Sequence, residues 1–165
     1  MSVEQHHRHG HRSLRAGVLT ASDSRSAETD ESGRLIRELL TAGGHRVEYY
    51  EVLPDDPVLI RSAVLEHLRN LDALIVNGGT GISARDSTIE AIRVLLDKEL
   101  EGFGELFRYL SYEQIGSAAF LSRAVAGIAA GKIVVALPGS PDACRLAMEK
   151  LLLPELGHMA HLLKL

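Results

Sequence analysis

The chain has 165 residues, a length that suits one compact domain, and we expect no second one. Hydrophobic residues make up 45% and charged residues 24%, which are ordinary values for a folded globular protein. The 18 basic and 22 acidic residues give a net charge of -4, so we expect no general attraction to nucleic acid or to an anionic membrane. A phosphate ligand would have to be captured by local groups.

Cysteine content and the absence of long apolar segments suggest a cellular compartment. The one cysteine, Cys144, lies in an apolar helical pattern and cannot form an internal disulfide, which suits a reducing cytoplasm. No apolar segment reaches the roughly 18 residues that span a bilayer, and the N-terminus lacks the apolar centre of a signal peptide. We therefore expect a cytoplasmic protein. Residues 1–13 contain four of the eight histidines, and we interpret them as a flexible His-rich tail before a single domain over residues 14–165.

Strand and helix patterns alternate along the chain. Short apolar runs predict strands over residues 15–20, 46–53, 73–76 and 132–137. Apolar residues at helical spacing predict helices around residues 35–40, 59–68, 89–96, 103–110 and 144–152, with a short last helix. Thr88 can cap the third of these helices. Residues 118–130 fit a strand or a helix. The alternation predicts an α/β fold, a three-layer α/β/α sandwich with a mostly parallel, Rossmann-like sheet.

A small or polar loop follows each of the four predicted strands. These loops are TASDS, PDD, NGGTG and PGSP, in chain order. In open α/β sheets, ligands bind beyond the carboxyl ends of the strands, where the connections diverge. We therefore expect the four loops to meet at one edge of the sheet.

The loop NGGTG has the composition of a phosphate-binding turn. Gly78, Gly79 and Gly81 allow backbone N–H groups to approach a ligand without a Cβ in the way, and a helix begins a few residues later. The loop lacks the lysine of a P-loop and the GxGxxG spacing of a dinucleotide site. On its own it can equally be a plain structural turn. Its place after a buried strand and near Asp86 favours a ligand site.

Two aspartates, Asp55 and Asp86, are candidates for holding a cation at that site. Carboxylates repel phosphate unless a cation intervenes, and Mg2+ held by aspartate and phosphate oxygens is the usual solution. Alternatively, Asp55 or Asp56 caps the helix after Pro57, and Asp86 interacts with a helix dipole. No histidine is placed for a recognisable Ser/His/Asp triad, and no Cys/His spacing resembles a zinc site. Metal-assisted phosphoryl or nucleotidyl transfer is the reaction class that remains.

The segment NGGTG-ISARDST-IEA resembles the signature TGGTG-x-x-PRD-x-T-PEA of the molybdopterin-binding fold in MoaB/MogA-type proteins of molybdenum cofactor biosynthesis. The segments VLPDD, GFGELFR, LSRAVAGI and ALPGSPDACR resemble further parts of that family, in the same order. Together they cover nearly everything from Leu14 to Leu163. Two prolines of the family signature are replaced here by Ala84 and Ile89, and both replacements remove a residue that stiffens the loop.

The resemblance implies a molybdopterin adenylyltransferase, which converts Mg-ATP and molybdopterin into adenylyl-molybdopterin and pyrophosphate. It assigns Mg2+ coordination and nucleotide positioning to Asp55 and Asp86. It implies that the NGGTG loop holds phosphate and that further residues line a shared pterin and nucleotide pocket. The residues implied in this way are Gly78, Gly79, Thr80 and Gly81 for phosphate, and Thr20, Ser22, Asp23, Ser122, Arg123, Pro138, Gly139 and Ser140 for the pocket.

The same resemblance implies a homotrimer, or a hexamer of two trimers, and a molybdenum insertase as a candidate partner. The segments FGELFRYLSYEQIG and LSRAVAGI are closer to the MoaB branch, so a non-catalytic molybdopterin-binding or scaffold protein is the main alternative. A generic nucleotide-binding α/β domain is a third hypothesis. The adenylyltransferase hypothesis predicts pterin binding with ATP turnover. The scaffold hypothesis predicts pterin binding without turnover, and the generic nucleotide-binding hypothesis predicts ATP binding without pterin binding.

Overall fold

The computed structural model describes residues 12–165, and the first eleven residues of the proposed tail lie outside that range. The strands are β1 (Arg15–Ala21), β2 (Arg46–Leu53), β3 (Ala73–Asn77), β4 (Lys98–Glu99), β5 (Val125–Ala129) and β6 (Lys132–Leu137). The helices are α1 (Glu31–Ala42), α2 (Pro57–His67), α3 (Thr88–Arg93), α4 (Glu101–Ile115), α5 (Pro141–Ala147) and α6 (Leu153–Leu163). Short 3-10 turns cover Leu68–Asn70 and Gly116–Leu121, and a π-helical turn, Met148–Leu152, joins α5 to α6.

The strands form one mixed sheet in the order β2-β1-β3-β6-β5-β4. Parallel pairing joins β1 to β2, β1 to β3 and β3 to β6, whereas β5 runs antiparallel to both β6 and β4. The predicted α/β fold with a mostly parallel sheet is therefore confirmed. The chain moves outward from β1 to β2 and then returns to place β3 on the other side of β1. The carboxyl ends of β1 and β3 are thus a topological switch point, where such sheets bind ligands.

Helices cover both faces of the sheet. On one face α1, α4, α5 and α6 pack around Ile75, and on the other face α2 and α3 pack around Leu74 and Val76. All five residues of β3 are buried, since successive side chains enter the two cores in turn. Burial on both faces explains why residues 73–76 are all apolar rather than alternating between apolar and polar.

Side-chain caps fix three helix starts next to the loops at the carboxyl edge. Asp30, Asp56 and Ser140 each accept a hydrogen bond from a backbone N–H in the first turn of α1, α2 and α5, respectively. Pro57 and Pro141 occupy the first helical position, where the missing N–H costs nothing. Each loop is therefore held at its far end by the helix that it starts.

Two sequence-based expectations need correction. The helix predicted over residues 89–96 ends at Arg93, because the chain bends there so that the Asp97 N–H can donate to the carbonyl of Ile128 and begin β4 beside β5. Thr88 begins this helix rather than capping it, and Ser87 at the cap position makes no side-chain cap hydrogen bond. The ambiguous segment 118–130 divides into the end of a 3-10 turn and strand β5.

No helix among residues 12–165 is long and apolar enough to cross a membrane.

Candidate functional site

A cleft of 420 Å³ opens at the carboxyl edge of the sheet, and the loops that follow β1, β2, β3 and β6 all line it. The expectation that these four loops meet at one edge is confirmed. A fifth segment, the turn before β5, also lines the cleft. It reaches the same edge because β5 runs antiparallel to β6, with its first residue, Val125, opposite Ala136. The volume lies in the range of small-molecule sites, roughly 300–1,000 Å³.

Most of the residues implied by the resemblance line this cleft. They are Ser22, Asp23, Asp55, Gly78, Gly79, Thr80, Gly81, Asp86, Ser122, Arg123, Pro138 and Gly139. Thr20 and Ser140 do not. Thr20 is fully buried beneath the cleft, where its hydroxyl donates to Asp30 and accepts from Asn77. Ser140 is exposed, and its hydroxyl caps α5. Both residues support the wall of the cleft without lining it.

The NGGTG loop requires glycine at its first two glycine positions. Gly78 has a φ of 89° and Gly79 a φ of 60°, in the left-handed region that other residues rarely adopt. A Cβ on Gly78 would stand 2.2 Å from the carbonyl oxygen of Ala21. A Cβ on Gly79 would stand 2.5 Å from both carboxylate oxygens of Asp55 and from the hydroxyl oxygen of Thr88. The bare backbone therefore lets the loop pack directly against its neighbours.

The same loop has backbone donors that the protein does not use. The N–H of Gly78 donates to the carbonyl of Leu137 at 3.0 Å and continues the contact between β3 and β6. The next three N–H groups donate no hydrogen bond within residues 12–165; they belong to Gly79, Thr80 and Gly81. Successive N–H groups of this kind bind anions in many proteins.

Two carboxylates, Asp55 and Asp86, lie against this loop and form what we call the acidic end of the cleft. Burial raises the pKa of Asp55 above its ordinary value, and the charge of Asp86 raises it further. Asp86 accepts the N–H of Ser83 at 2.9 Å, which fixes the turn that carries it. Asp56 instead caps α2, so only the first of the two adjacent aspartates lines the cleft.

The residues at the acidic end suit a metal ion that arrives with its own ligands. No group of three His, Cys, Asp or Glu side chains within the described range could hold a metal ion by itself. The donors that line the cleft there are the carboxylates of Asp55 and Asp86. The hydroxyl of Thr88, buried behind Gly79, has no hydrogen-bond partner. These are hard oxygen donors, which Mg2+ prefers, and phosphate oxygens would complete its coordination. The donor set therefore fits Mg2+ bound to a phosphorylated ligand.

Arg123 supports the glycine loop. Its Nε donates to the carbonyl of Thr80 and its Nη2 to the carbonyl of Gly81, both at 2.8 Å. Its Nη1 pairs with Glu90. Because these contacts occupy the guanidinium, Arg123 holds the loop in shape more than it offers charge to a ligand.

Asp23 ties three loops together at the mouth of the cleft. It accepts a hydrogen bond from Nε of Arg85 at 3.1 Å, and it also accepts the backbone N–H of Asp55 at 3.0 Å. These contacts hold the pKa of Asp23 below its ordinary value. The loops after β1, β2 and β3 are therefore fixed relative to one another.

Arg25 lines the cleft and was missed in the analysis of the sequence. Its Nη2 donates to the carbonyl of Gly139 at 2.9 Å, and its Nη1 lies 3.5 Å from the hydroxyl of Ser32. The only signal in the sequence is one cation in the loop after β1, and its main partner is 114 positions away. Spacing along the chain could not reveal that contact.

Fold and cleft define an α/β protein with a ligand-sized cleft, lined by a glycine-rich loop, at the switch point of a largely parallel sheet. Residues 17–158 match the family described as probable molybdopterin binding domain. The chain belongs to this family, and within it to the MoaB type of molybdenum cofactor biosynthesis proteins.

Individual relatives agree with this assignment. The chain is 52% identical over 162 residues to molybdenum cofactor biosynthesis protein B of Bacillus cereus, covering 96% of each chain. A crystal structure of a molybdenum cofactor biosynthesis protein B superposes with a TM-score of 0.91 at 52% identity, covering 93% of this chain and 98% of the other. The tungsten cofactor synthesizing protein MoaB from Pyrococcus furiosus superposes with a TM-score of 0.84 at 39% identity, covering 93% and 99%.

Proposed function

We propose that this MoaB-type protein adenylylates molybdopterin, using Mg-ATP and releasing pyrophosphate. One observation carries the proposal: the acidic end, formed by Asp55 and Asp86, lies beside unused backbone N–H groups in a single cleft. A magnesium-bound polyphosphate presents both a cation for the carboxylates and anionic oxygens for the N–H groups. The cleft therefore matches the charge pattern of Mg-ATP.

The proposed reaction needs alignment more than acid or base catalysis. An oxygen of the pterin's terminal phosphate attacks the α-phosphorus of ATP and forms a new P–O bond. The bond from the α-phosphorus to the oxygen that bridges to the β-phosphorus breaks, and pyrophosphate leaves with that electron pair. Such a transfer is promoted by in-line positioning and by neutralisation of charge. Among the described residues that line the cleft there is no histidine, which agrees with a reaction that uses no strong base.

The residues of the cleft would have separate roles in this reaction. The N–H groups of the glycine loop would bind nucleotide phosphates, and Arg123 would keep that loop in place through its two carbonyl contacts. Asp55 and Asp86 would hold Mg2+, which neutralises phosphate charge when it is bound. Asp23 would keep the loops after β1, β2 and β3 in register through Arg85 and the backbone of Asp55.

Asp86→Asn tests the proposal. The purified protein would be given molybdopterin and Mg-ATP, and pyrophosphate and adenylyl-molybdopterin would be measured. Asparagine can still accept the Ser83 N–H, so the turn should survive while the charge is lost. We expect a loss in turnover on the order of 10²–10³, the range seen when one preorganised electrostatic group is removed. Asp142→Asn changes an exposed aspartate in α5 that does not line the cleft, and it is the matched control.

The alternatives give different results in the same experiment. Pterin binding without turnover in the wild type would make the chain a non-catalytic molybdopterin-binding or scaffold protein. ATP binding without pterin binding would make it a generic nucleotide-binding domain. Full turnover in the Asp86→Asn variant would remove Asp86 from the mechanism.

We also propose, from the family, that the chain assembles as a homotrimer or a hexamer in the cytoplasm and delivers its product to a molybdenum insertase. Sedimentation analysis of the purified chain would measure the mass of the assembly. A mass of one chain at micromolar concentration would contradict the assembly part of the proposal without affecting the chemistry.

A further inference from the structure

Arg25 and Arg123, which line the cleft, and Arg85, which pairs with the lining residue Asp23, differ in how far the protein itself neutralises their charge. Arg123 pairs with Glu90, and Arg85 pairs with Asp23 through two nitrogens. Arg25 has no carboxylate within hydrogen-bond distance in the described range. Its one ion-pair neighbour is Asp30, at 3.8 Å. Arg25 therefore has the least compensated positive charge of the three.

The carboxylate of Asp30 is already engaged elsewhere. It is buried and accepts hydrogen bonds from the hydroxyl of Thr20 at 2.6 Å, the hydroxyl of Tyr50 at 2.9 Å and the N–H of Gly33 at 3.0 Å. A carboxylate with three such donors is stabilised without a full contact to the arginine. Asp30 consequently attracts the guanidinium of Arg25 from 3.8 Å without a hydrogen bond to it.

Arg25 also retains donors that face the cleft. The guanidinium carries five N–H donors, and only two of them have partners within the described range, Gly139 and Ser32. The side chain is 31% exposed and lines the cleft. The remaining N–H groups are therefore available to an anion.

Arg25 and the acidic end lie near different residues of the glycine loop. Its Nη1 is 3.5 Å from the place where a Cβ on Gly139 would stand, and that place is 3.1 Å from the Cα of Gly78. The carboxylates of Asp55 and Asp86 instead lie against Gly79 and Gly81. We call the surface formed by Arg25 and Gly139 the basic end of the cleft.

We propose that Arg25 binds a phosphate monoester that carries no metal ion, and that this contact fixes which way round the two substrates lie. A metal-free phosphate dianion is repelled by two carboxylates and attracted by a guanidinium, whereas a magnesium-bound polyphosphate suits the acidic end. The identification of that monoester as the terminal phosphate of the pterin rests on the proposed function. The anion site itself does not.

Phosphate binding in the absence of metal tests this inference directly. Inorganic phosphate would be titrated into the wild-type protein with a chelator present, and the backbone and arginine side-chain NMR signals would be followed. We expect the signals of Arg25 and Gly139 to shift on a saturating curve. Arg25→Gln should weaken phosphate binding at least tenfold, and Arg25→Lys should weaken it less because it retains the charge but loses the planar fork.

Ser32→Ala is the matched control for loop positioning. The Ser32 hydroxyl donates to the same Gly139 carbonyl as Arg25 does, at 2.6 Å, but carries no charge. Its removal should leave phosphate affinity within twofold of the wild type. An equal loss in Ser32→Ala and Arg25→Gln would show that Arg25 only positions the loop. Absence of phosphate binding by the wild-type protein, or unchanged binding by Arg25→Gln, would overturn the inference.

These experiments distinguish failure of the anion site from failure of the proposed function. If the wild type binds phosphate through Arg25 but has no adenylylation activity, the anion site stands and the proposed reaction fails. If the wild type is active and Arg25→Gln changes neither phosphate affinity nor the KM for the pterin, the inference fails and the reaction stands.

Discussion

At Gly79 the backbone is left-handed, and the space beside its α-carbon is filled by the carboxylate of Asp55 and the hydroxyl of Thr88. Gly79→Ala should therefore lower the free energy of unfolding by more than the roughly 1–2 kcal/mol that a left-handed conformation costs alanine. Gly44→Ala is the control, because Gly44 has a φ of 85° but no atom within 4 Å of the Cβ position. Urea denaturation measures both. Equal losses in the two variants would contradict the collision at Gly79.

The charged carboxylate of Asp55 should lower the stability of the fold, although the proposed reaction needs it. Burial, and then the charge of Asp86, raises its pKa above the ordinary 3.8, so the charged form is penalised in the folded protein at neutral pH. Since the folded state holds the proton more tightly than the unfolded state, this penalty is present above the raised pKa. It disappears as the pH falls below 3.8, where both states are neutral.

Asp55→Asn should consequently raise the thermal unfolding midpoint at pH 7, measured without Mg2+, and abolish most of the adenylylation activity. The gain in midpoint should shrink as the pH is lowered towards 3.8. A variant less stable than the wild type at pH 7 would mean that the hydrogen bonds of Asp55 outweigh its desolvation.

At the scale of an element, the start of α2 separates two neighbouring aspartates by role. Asp56 accepts the N–H groups of Val58 and Leu59 at 2.8 and 3.0 Å and so caps the helix. Asp56→Ala should lower the free energy of unfolding by about 1 kcal/mol, the usual value of such a cap, and leave turnover unchanged. Asp56→Asn should restore most of the loss, because asparagine caps nearly as well. If a stable Asp56→Asn variant lost activity, Asp56 would have a role in the reaction as well as in capping the helix.

Strand starts and the loops after the strands were the features that the sequence predicted well. Periodicity placed β1, β3 and β6, and their loops meet where parallel strands require. The end of α3 was predicted wrongly because Leu95 and Leu96 keep helical spacing while the chain is already turning. Both side chains are partly buried against the core, so burial preserved the pattern after the helix had ended.

Contacts between residues far apart in the chain could not be predicted from the sequence. The direction of β5 decides whether Arg123 reaches the cleft, and apolar periodicity in residues 118–130 fits a strand or a helix. Arg25 depends on Gly139 in the same way, since the partner becomes a neighbour only when β1 and β6 flank β3. Local patterns specify elements, whereas the partners of a guanidinium follow from sheet order.

At the scale of the whole molecule, the edge of the sheet opposite the cleft carries an ion-pair cluster that joins three strands. Asp72, just before β3, accepts the backbone N–H of Arg15 and its Nη2, each at 2.9 Å, and lies 3.6 Å from Nζ of Lys132. Burial alone would raise the pKa of Asp72. The hydrogen bonds from Arg15 and the charges of Arg15 and Lys132 together outweigh it and lower the pKa to about 2. The charged carboxylate therefore stabilises the junction of β1, β3 and β6.

Acid should weaken the fold through this cluster. Because the pKa of Asp72 falls from 3.8 to about 2 on folding, its contribution is complete above 3.8 and is lost as the pH approaches 2. The shift corresponds to roughly 1–2 kcal/mol after allowance for solvent screening at the half-exposed Arg15. Asp72→Asn should lower the free energy of unfolding by about this amount at pH 7, in urea titrations against the wild type.

The pH dependence of that difference decides whether charge is the cause. The gap between the wild type and Asp72→Asn should narrow as the pH is lowered from 4 to 2, because the wild-type carboxyl becomes protonated and loses the charge that the variant never had. Asp142→Asn, which removes an exposed charge from α5, should show no comparable gap at either pH. A gap for Asp72→Asn that stays constant down to pH 2 would mean that hydrogen-bond geometry, rather than charge, holds the three strands together at this edge.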